Sequence, residues 1–174
     1  MSRGIIPKVK TIIENAGTIS RSYNDNFVRA EHIILAIIND GKNKGVDGLI
    51  KLGVNLNDIS SEMIMMCGYN SLRVVTVKNG IIPLHSDIVN AFKYLNKISA
   101  SLKDNEINTT HVILAILNDK SLEVTEILEA YGVNSSKFEG IISKIKSESE
   151  NMGETFDENE DLSYGNKKSN KKIK

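Results

Sequence analysis

The chain has 174 residues, 40% of them hydrophobic, with 22 basic and 22 acidic side chains; that suffices for one ordinary domain or two small ones and excludes collagen-like, coiled-coil and wholly disordered classes. A formal charge of zero leaves no global field to recruit nucleic acid or an anionic membrane, so any electrostatic recognition is local. The single cysteine, Cys67, excludes an intramolecular disulfide and a cysteine-paired zinc site; with no apolar run near the roughly 20 residues that span a bilayer, and with charge interrupting the N-terminus too early for a secretory signal, a soluble, cytoplasmic protein is expected.

The first helix is expected over 7–22, where Pro7 suits a first turn and Val9, Ile12, Ile13, Ala16 and Ile19 recur at the three-and-four spacing of one buried face. The stretch EHIILAIIND (31–40) is too apolar for a surface stripe and predicts an interior helix ending at Asn39-Asp40-Gly41. A helix over about 44–52 should close at Gly53, a left-handed C-cap, with Asn55 capping the next helix over about 56–66. Residues 67–80, CGYNSLRVVTVKNG, lose helical periodicity and read as a linker with a brief extended run, which makes Cys67 a linker thiol. No base accompanies it, so a hydrolase reading has little support.

Beyond the linker, helices are expected over about 84–102, 110–119, 122–131 closed by Gly132, and 135–146 capped by Asn134. From 147 the chain carries seven acidic residues up to 161 and five lysines in its last eight, with too little apolar content to fold; a flexible tail over 147–174 is expected, and its acidic half would compete with nucleic acid for the lysines.

The two halves are one segment written twice. EHIILAIIND (31–40) returns as THVILAILND (110–119), 79 positions later, and the match runs on without a gap to put Leu49 over Leu128 and Gly53-Val54-Asn55 over Gly132-Val133-Asn134. Upstream, IIPKVKTIIENAGTIS (5–20) can be laid on IIPLHSDIVNAFKYLN (81–96) if roughly three residues are inserted in the second copy. The expected fold is therefore all-α: two pseudo-symmetric four-helix repeats, eight helices in all, forming a double repeat over 1–146 (repeat one 5–66, linker 67–80, repeat two 81–146) in which each copy buries its apolar face against the other.

A proline-led helix, then Glu31-His32 before IILAIIND, then LIKLGVNLNDI, all duplicated, resembles the N-terminal repeat domain of the Clp AAA+ unfoldases, most of all the ClpC-type branch. The resemblance covers about 5–146 and implies a pseudo-twofold, non-catalytic domain that receives protein substrates or adaptor proteins for a hexameric ATPase ring. It also implies that the glutamate of each Glu-His motif binds a guanidinium, reading phosphorylated arginine on client proteins. Repeat one keeps that residue as Glu31. Repeat two has Thr110 there, so no carboxylate fork is available. Arg29-Ala30 stands where the family has Gly-Thr, which removes a capping hydroxyl and sets a cation beside Glu31, either occupying it or helping to hold a phosphate.

Arg29, Glu31 and Thr110 are thus the expected substrate- or adaptor-binding positions. Glu31 is favoured at a helix start by the macrodipole whatever it binds. His32, His85 and His111 lack the further ligands a metal needs and read as structural histidines. GKNKG (41–45) lacks the spacing, the Lys-Ser/Thr ending and the preceding strand of a phosphate loop, so neither a nucleotide nor another cofactor is expected. Met63, Met65 and Met66 suit either an adaptable surface or a helix-end core. Two functional readings follow: the receiving domain of a Clp unfoldase, or a free-standing adaptor or decoy of the same fold acting on a Clp machine in trans.

Overall fold

A computed structural model describes residues 2–70 and 80–153. A two-residue strand β1 (Gly4–Ile5) leads into α1 (Pro7–Ser22), α2 (Ala30–Asp40), α3 (Lys44–Lys51) and α4 (Leu56–Asn70); α5 (Ser86–Phe92), α6 (Leu95–Ser101), the strand β2 (Glu106–Ile107), α7 (Thr109–Asn118), α8 (Glu123–Ala130) and α9 (Ser135–Met152) complete the second copy. Local chemistry accounts for most boundaries. Pro7 opens α1 at N1, Gly41 closes α2 at φ 70°, and Asn43 and Asn134 cap α3 and α9 by accepting from the N–H groups of Val46 and Lys137, each at 2.9 Å. Asn55 accepts from Asn57 N–H at the start of α4, and Gly53 and Gly132 take the left-handed conformation their turns require, at φ 78° and 84°.

α2 and α7 are the centre of the molecule. Every residue from Ala30 to Ile37 and from Thr109 to Leu117 is buried, as two interior helices must be when no face is left for water. α1 and α4 cover α2, while α5, α6 and α9 cover α7. The third helices cross over: α3 packs against α7 and α9, and α8 reaches α4 as well as α7, so each copy completes the other's core. Gly45 and Gly48 permit these approaches, because a Cβ would stand 2.8 Å from Ile113 at the first and 2.8 Å from side-chain carbons of Ile142 and Phe138 at the second.

Four expectations need correction. The single helix expected over 84–102 breaks at Lys93-Tyr94, where the N–H groups bond to Asn90 and Ala91, three residues back rather than four. α5 and α6 together fill the place of α1, so the plan of four helices per copy holds although nine are present among the described residues. α4 runs on to Asn70, which puts Cys67 inside a helix and fully buried, not in a linker. α9 continues to Met152, helped by the Lys51–Glu148 ion pair at 3.2 Å; the expected extended run VVTV and the tail from 154 lie outside the described residues.

The fourth correction concerns register. No insertion separates the copies: α1 spans 7–22 and α5 with α6 span 86–101, again 79 apart, so the shared Ile-Ile-Pro is not the structural match. The same offset relates Ser20 to Ser99, Asn24 (φ 56°) to Lys103 (φ 58°), and Asp25 to Asp104. It also relates the backbone pairings between copies. Ile6 N–H donates to Ile107 at 3.1 Å beside the parallel β1–β2 pair, and His85 N–H donates to Val28 at 2.8 Å beside the parallel Val28–Leu84 bridge. Each copy thus lends a short extended segment to the other in front of its buried helix.

Candidate functional site

The 79-residue offset places two matched polar clusters at the starts of α2 and α7. Ser20 and Ser99 are fully buried, and each hydroxyl donates to the backbone carbonyl of its aspartate and to that of the second residue beyond: Ser20 to Asp25 and Phe27, Ser99 to Asp104 and Glu106. These bonds tie the turn after α1 or α6 to the entry of the buried helix. The helix is then capped from within: the N–H groups of Arg29 and Asn108 each donate to Nδ1 of the histidine three residues on, His32 and His111, at 2.9 Å. With Nδ1 accepting, the ring proton sits on Nε2 in both histidines.

The clusters diverge at that proton. In repeat two, His111 Nε2 lies 2.9 Å from Asp104 Oδ2, and Lys146 from α9 takes the other oxygen at 2.5 Å. Burial raises the Asp104 carboxyl, but the His111 and Lys146 hydrogen bonds outweigh it and hold the group below its ordinary range. In repeat one, Asp25 is taken instead by Arg29, whose Nε donates to Oδ2 at 2.7 Å, and by Phe27 N–H at 3.1 Å. His32 Nε2 is fully buried and has no hydrogen-bond partner. Burial pushes this imidazole down to about 4; the Asp25 charge opposes that shift and the Arg29 charge adds to it.

Cys67 occupies the position in repeat one that Lys146 holds in repeat two, 79 residues on. Its thiol is pushed up to about 12, first by burial and then by the charges of Glu31 and Asp25, so it stays protonated and is no nucleophile. A ring nitrogen of His32 and carboxylate oxygens of Asp25 and Glu31 lie within 4.8 Å of one another, a spacing that could hold a cation. The donor set does not suit one: Nδ1 has given its lone pair to Arg29 N–H, Nε2 carries the proton, and the Arg29 guanidinium already neutralises Asp25.

Of the three expected site residues, Arg29 and Glu31 come together and Thr110 does not join them. Arg29 and Glu31 line a pocket of about 290 Å³ with His85 and Asp87 from α5 and with Ser121 and Glu123 at the start of α8, so the pocket is built by both repeats. Three carboxylates, one guanidinium and one imidazole line it, so groups of both signs meet at one opening. Glu31 is 3% exposed in the first turn of α2, where the dipole favours its charge. Arg29 has no side-chain cap bond, as loss of the hydroxyl implies; it stacks 5.9 Å above the Phe27 ring, which meets His85 edge-on at 5.5 Å.

Thr110 lines the pseudo-equivalent pocket, about 610 Å³, with Lys44, Asp104, Asn108, Lys146 and Glu150. Its hydroxyl is spent on the helix cap, donating to Asn108 Oδ1 at 2.6 Å, and the residue is buried. Thr110 thus contributes to the cap of α7 as well as to the pocket wall. His32 and His111 serve the structure, as expected; sequence reasoning missed Asp25, Glu123 and the unpaired Nε2 of His32. Asp25 and Asp104 were legible as a matched pair at the repeat offset; Glu123 was not, because only the crossing of α8 brings it to the start of α2.

Comparison with known proteins agrees with this architecture. The family model described as the Clp repeat (R) N-terminal domain matches residues 6–131. A probable ATP-dependent Clp protease ATP-binding subunit of Chlamydia pneumoniae is 25% identical over 122 residues, 70% of this chain and 14% of that protein. The chaperone protein ClpB of Brucella suis is 21% identical over 139 residues, 80% of this chain and 16% of that protein. The chain therefore spans about a seventh of the length of these relatives. Among solved structures, the Hsp104 N-terminal domain from Candida albicans superposes with a TM-score of 0.67 at 15% identity, covering 82% of this chain and 91% of that one. The N-domain of ClpV from Vibrio cholerae gives 0.65 at 14% identity, covering 80% and 85%.

Proposed function

The chain belongs to the Clp repeat (R) N-terminal domain family, and we propose that it is a non-catalytic receiving module that captures client or adaptor proteins in the cytoplasm and delivers them to a Clp AAA+ ring. Recognition centres on the pocket between the starts of α2 and α8, and its ligand is an arginine side chain carrying a phosphoryl group. The observation that supports this is the pairing of unlike charges at one small opening: the buried Glu31 carboxylate offers a fork for a guanidinium, and Arg29 beside it offers a guanidinium for the phosphate. Thr110 gives repeat two no equivalent carboxylate, so one such site is expected per chain rather than two. Capture followed by delivery needs no bond-making chemistry from this chain; its contribution is a raised local concentration of the client near the ring.

A titration of a phosphoarginine-bearing peptide into the protein tests the reading. Glu31→Gln keeps the shape of the side chain and removes its charge. A charge-assisted hydrogen bond contributes about 1.5–3 kcal/mol, so affinity should fall roughly ten- to hundred-fold. Unchanged affinity in a variant that melts like wild type removes Glu31 from the mechanism.

A further inference from the structure

We infer that Arg29 is an exchangeable arm: an anionic group entering the pocket draws its guanidinium away from Asp25, and the freed carboxylate takes the buried Nε2–H of His32. The inference rests on the proposed function only for the identity of the anion, a phosphoryl group; the exchange itself stands on the comparison of the two repeats. At matched positions, His111 Nε2 meets Asp104 at 2.9 Å, whereas His32 Nε2 has no partner and Asp25 is held by Arg29 Nε at 2.7 Å. The residue that makes the difference is Arg29, whose counterpart Asn108 cannot reach its aspartate with a cation. The second partner of Asp104 is Lys146, and its counterpart Cys67 is a neutral thiol, so Asp25 has no cation from α4 to turn to when Arg29 leaves.

The distances suit an exchange. In repeat two the matched histidine Nε2 and aspartate meet at 2.9 Å, and in repeat one a ring nitrogen of His32 lies within 4.8 Å of a carboxylate oxygen of Asp25, so a side-chain shift of at most about 2 Å reaches the repeat-two arrangement. Arg29 is the one member of the Asp25–Arg29–His32 trio that lines the pocket, so it alone can meet the ligand. A buried donor without an acceptor is costly, and satisfying it offsets the loss of the Arg29–Asp25 pair. His32 is in this sense a positioning residue: it touches no ligand, yet it sets how readily Arg29 is released.

The test reads the two histidine ring N–H signals by long-range proton–nitrogen correlation NMR at pH 7. His111, already bonded to Asp104, serves as an internal reference. In Arg29→Asn, which installs the residue found in repeat two, the His32 Nε2–H signal should move downfield toward that of His111 with no ligand added. Arg29→Met, which keeps the stem over Phe27 but removes the guanidinium, should do the same. In wild type, free phosphoarginine or inorganic phosphate should move the His32 signal in the same direction and leave His111 in place. A stationary His32 signal in both folded variants overturns the exchange. Movement in the variants without movement on adding either phosphate overturns the coupling to the ligand, and if phosphoarginine also fails to bind wild type it is the proposed function that falls.

Discussion

His32 gives the clearest quantitative test of the cluster at the start of α2. Its imidazole is fully buried and its pKa is lowered from 6.5 to about 4. The unfolded chain therefore binds a proton that the folded chain refuses between those values, and stability must fall with pH across that window. The contribution is fully present above about 6.5 and is lost as pH falls toward 4. With about 1.4 kcal/mol per unit, the loss from pH 7 to pH 5.5 is about 1 kcal/mol, growing to about 3 kcal/mol near pH 4. In urea denaturation with a slope of about 2 kcal/mol/M, the first figure moves the midpoint by roughly 0.5 M. His32→Gln is the comparison: a glutamine three residues into the helix can still accept from Arg29 N–H as the far half of a capping box, but it cannot titrate. The drop in stability between pH 7 and 5.5 should be smaller by that amount in the variant, since the two proteins differ in no other titratable side chain. An equal drop in the two would refute the assignment of the lowered pKa to His32.

Further outcomes follow from burial and close approach. Cys67, buried on α4 with its thiol pushed up to about 12, should react with a water-soluble disulfide reagent at pH 8 only at the rate of unfolding, and at once in denaturant; fast reaction in the folded state would contradict its burial. Gly48→Ala puts a methyl 2.8 Å from side-chain carbons of Ile142 and Phe138, so these side chains or α3 itself must shift, at a cost of about 1–3 kcal/mol in thermal or urea unfolding. Gly53→Ala, where nothing lies within 4 Å, should suffer only from the left-handed φ of 78° and cost about 1 kcal/mol; equal effects at the two positions would deny that α3 is the tight contact between the copies.

The sequence made the repeat legible because its constraints are local and doubled. A run of eight or nine buried residues, a glycine that must turn left-handed and an asparagine that must cap a helix each leave the same letters 79 positions apart. The first helix was misregistered because Ile-Ile-Pro is a weaker constraint than it looks. Proline at a helix start needs only a free N–H and a suitable φ, so it can recur at unrelated places. Ser20 and Ser99, each stitching the turn before a buried helix, are bound by geometry, and they hold the true offset. What could not be read at all was the crossing of α3 and α8, since a helix of eight residues carries an apolar face without saying which copy it covers.

That crossing also explains why the divergence between copies matters. Both pockets are walled by the start of one copy's buried helix and by the third helix of the other, so a change at 29, 31, 108 or 110 alters a surface shared by both halves. In repeat two the aspartate, histidine and lysine satisfy one another, and the threonine hydroxyl bonds the cap residue, so the cluster is internally satisfied. Repeat one keeps the same aspartate and histidine but supplies the cation from Arg29 at the pocket wall, leaving a buried donor unpaired. A folded chain tolerates such a defect where binding draws on it. On the proposed function the asymmetry favours the Glu31 side of the pseudo-twofold, and it is the unpaired His32 Nε2 that distinguishes that side from its counterpart.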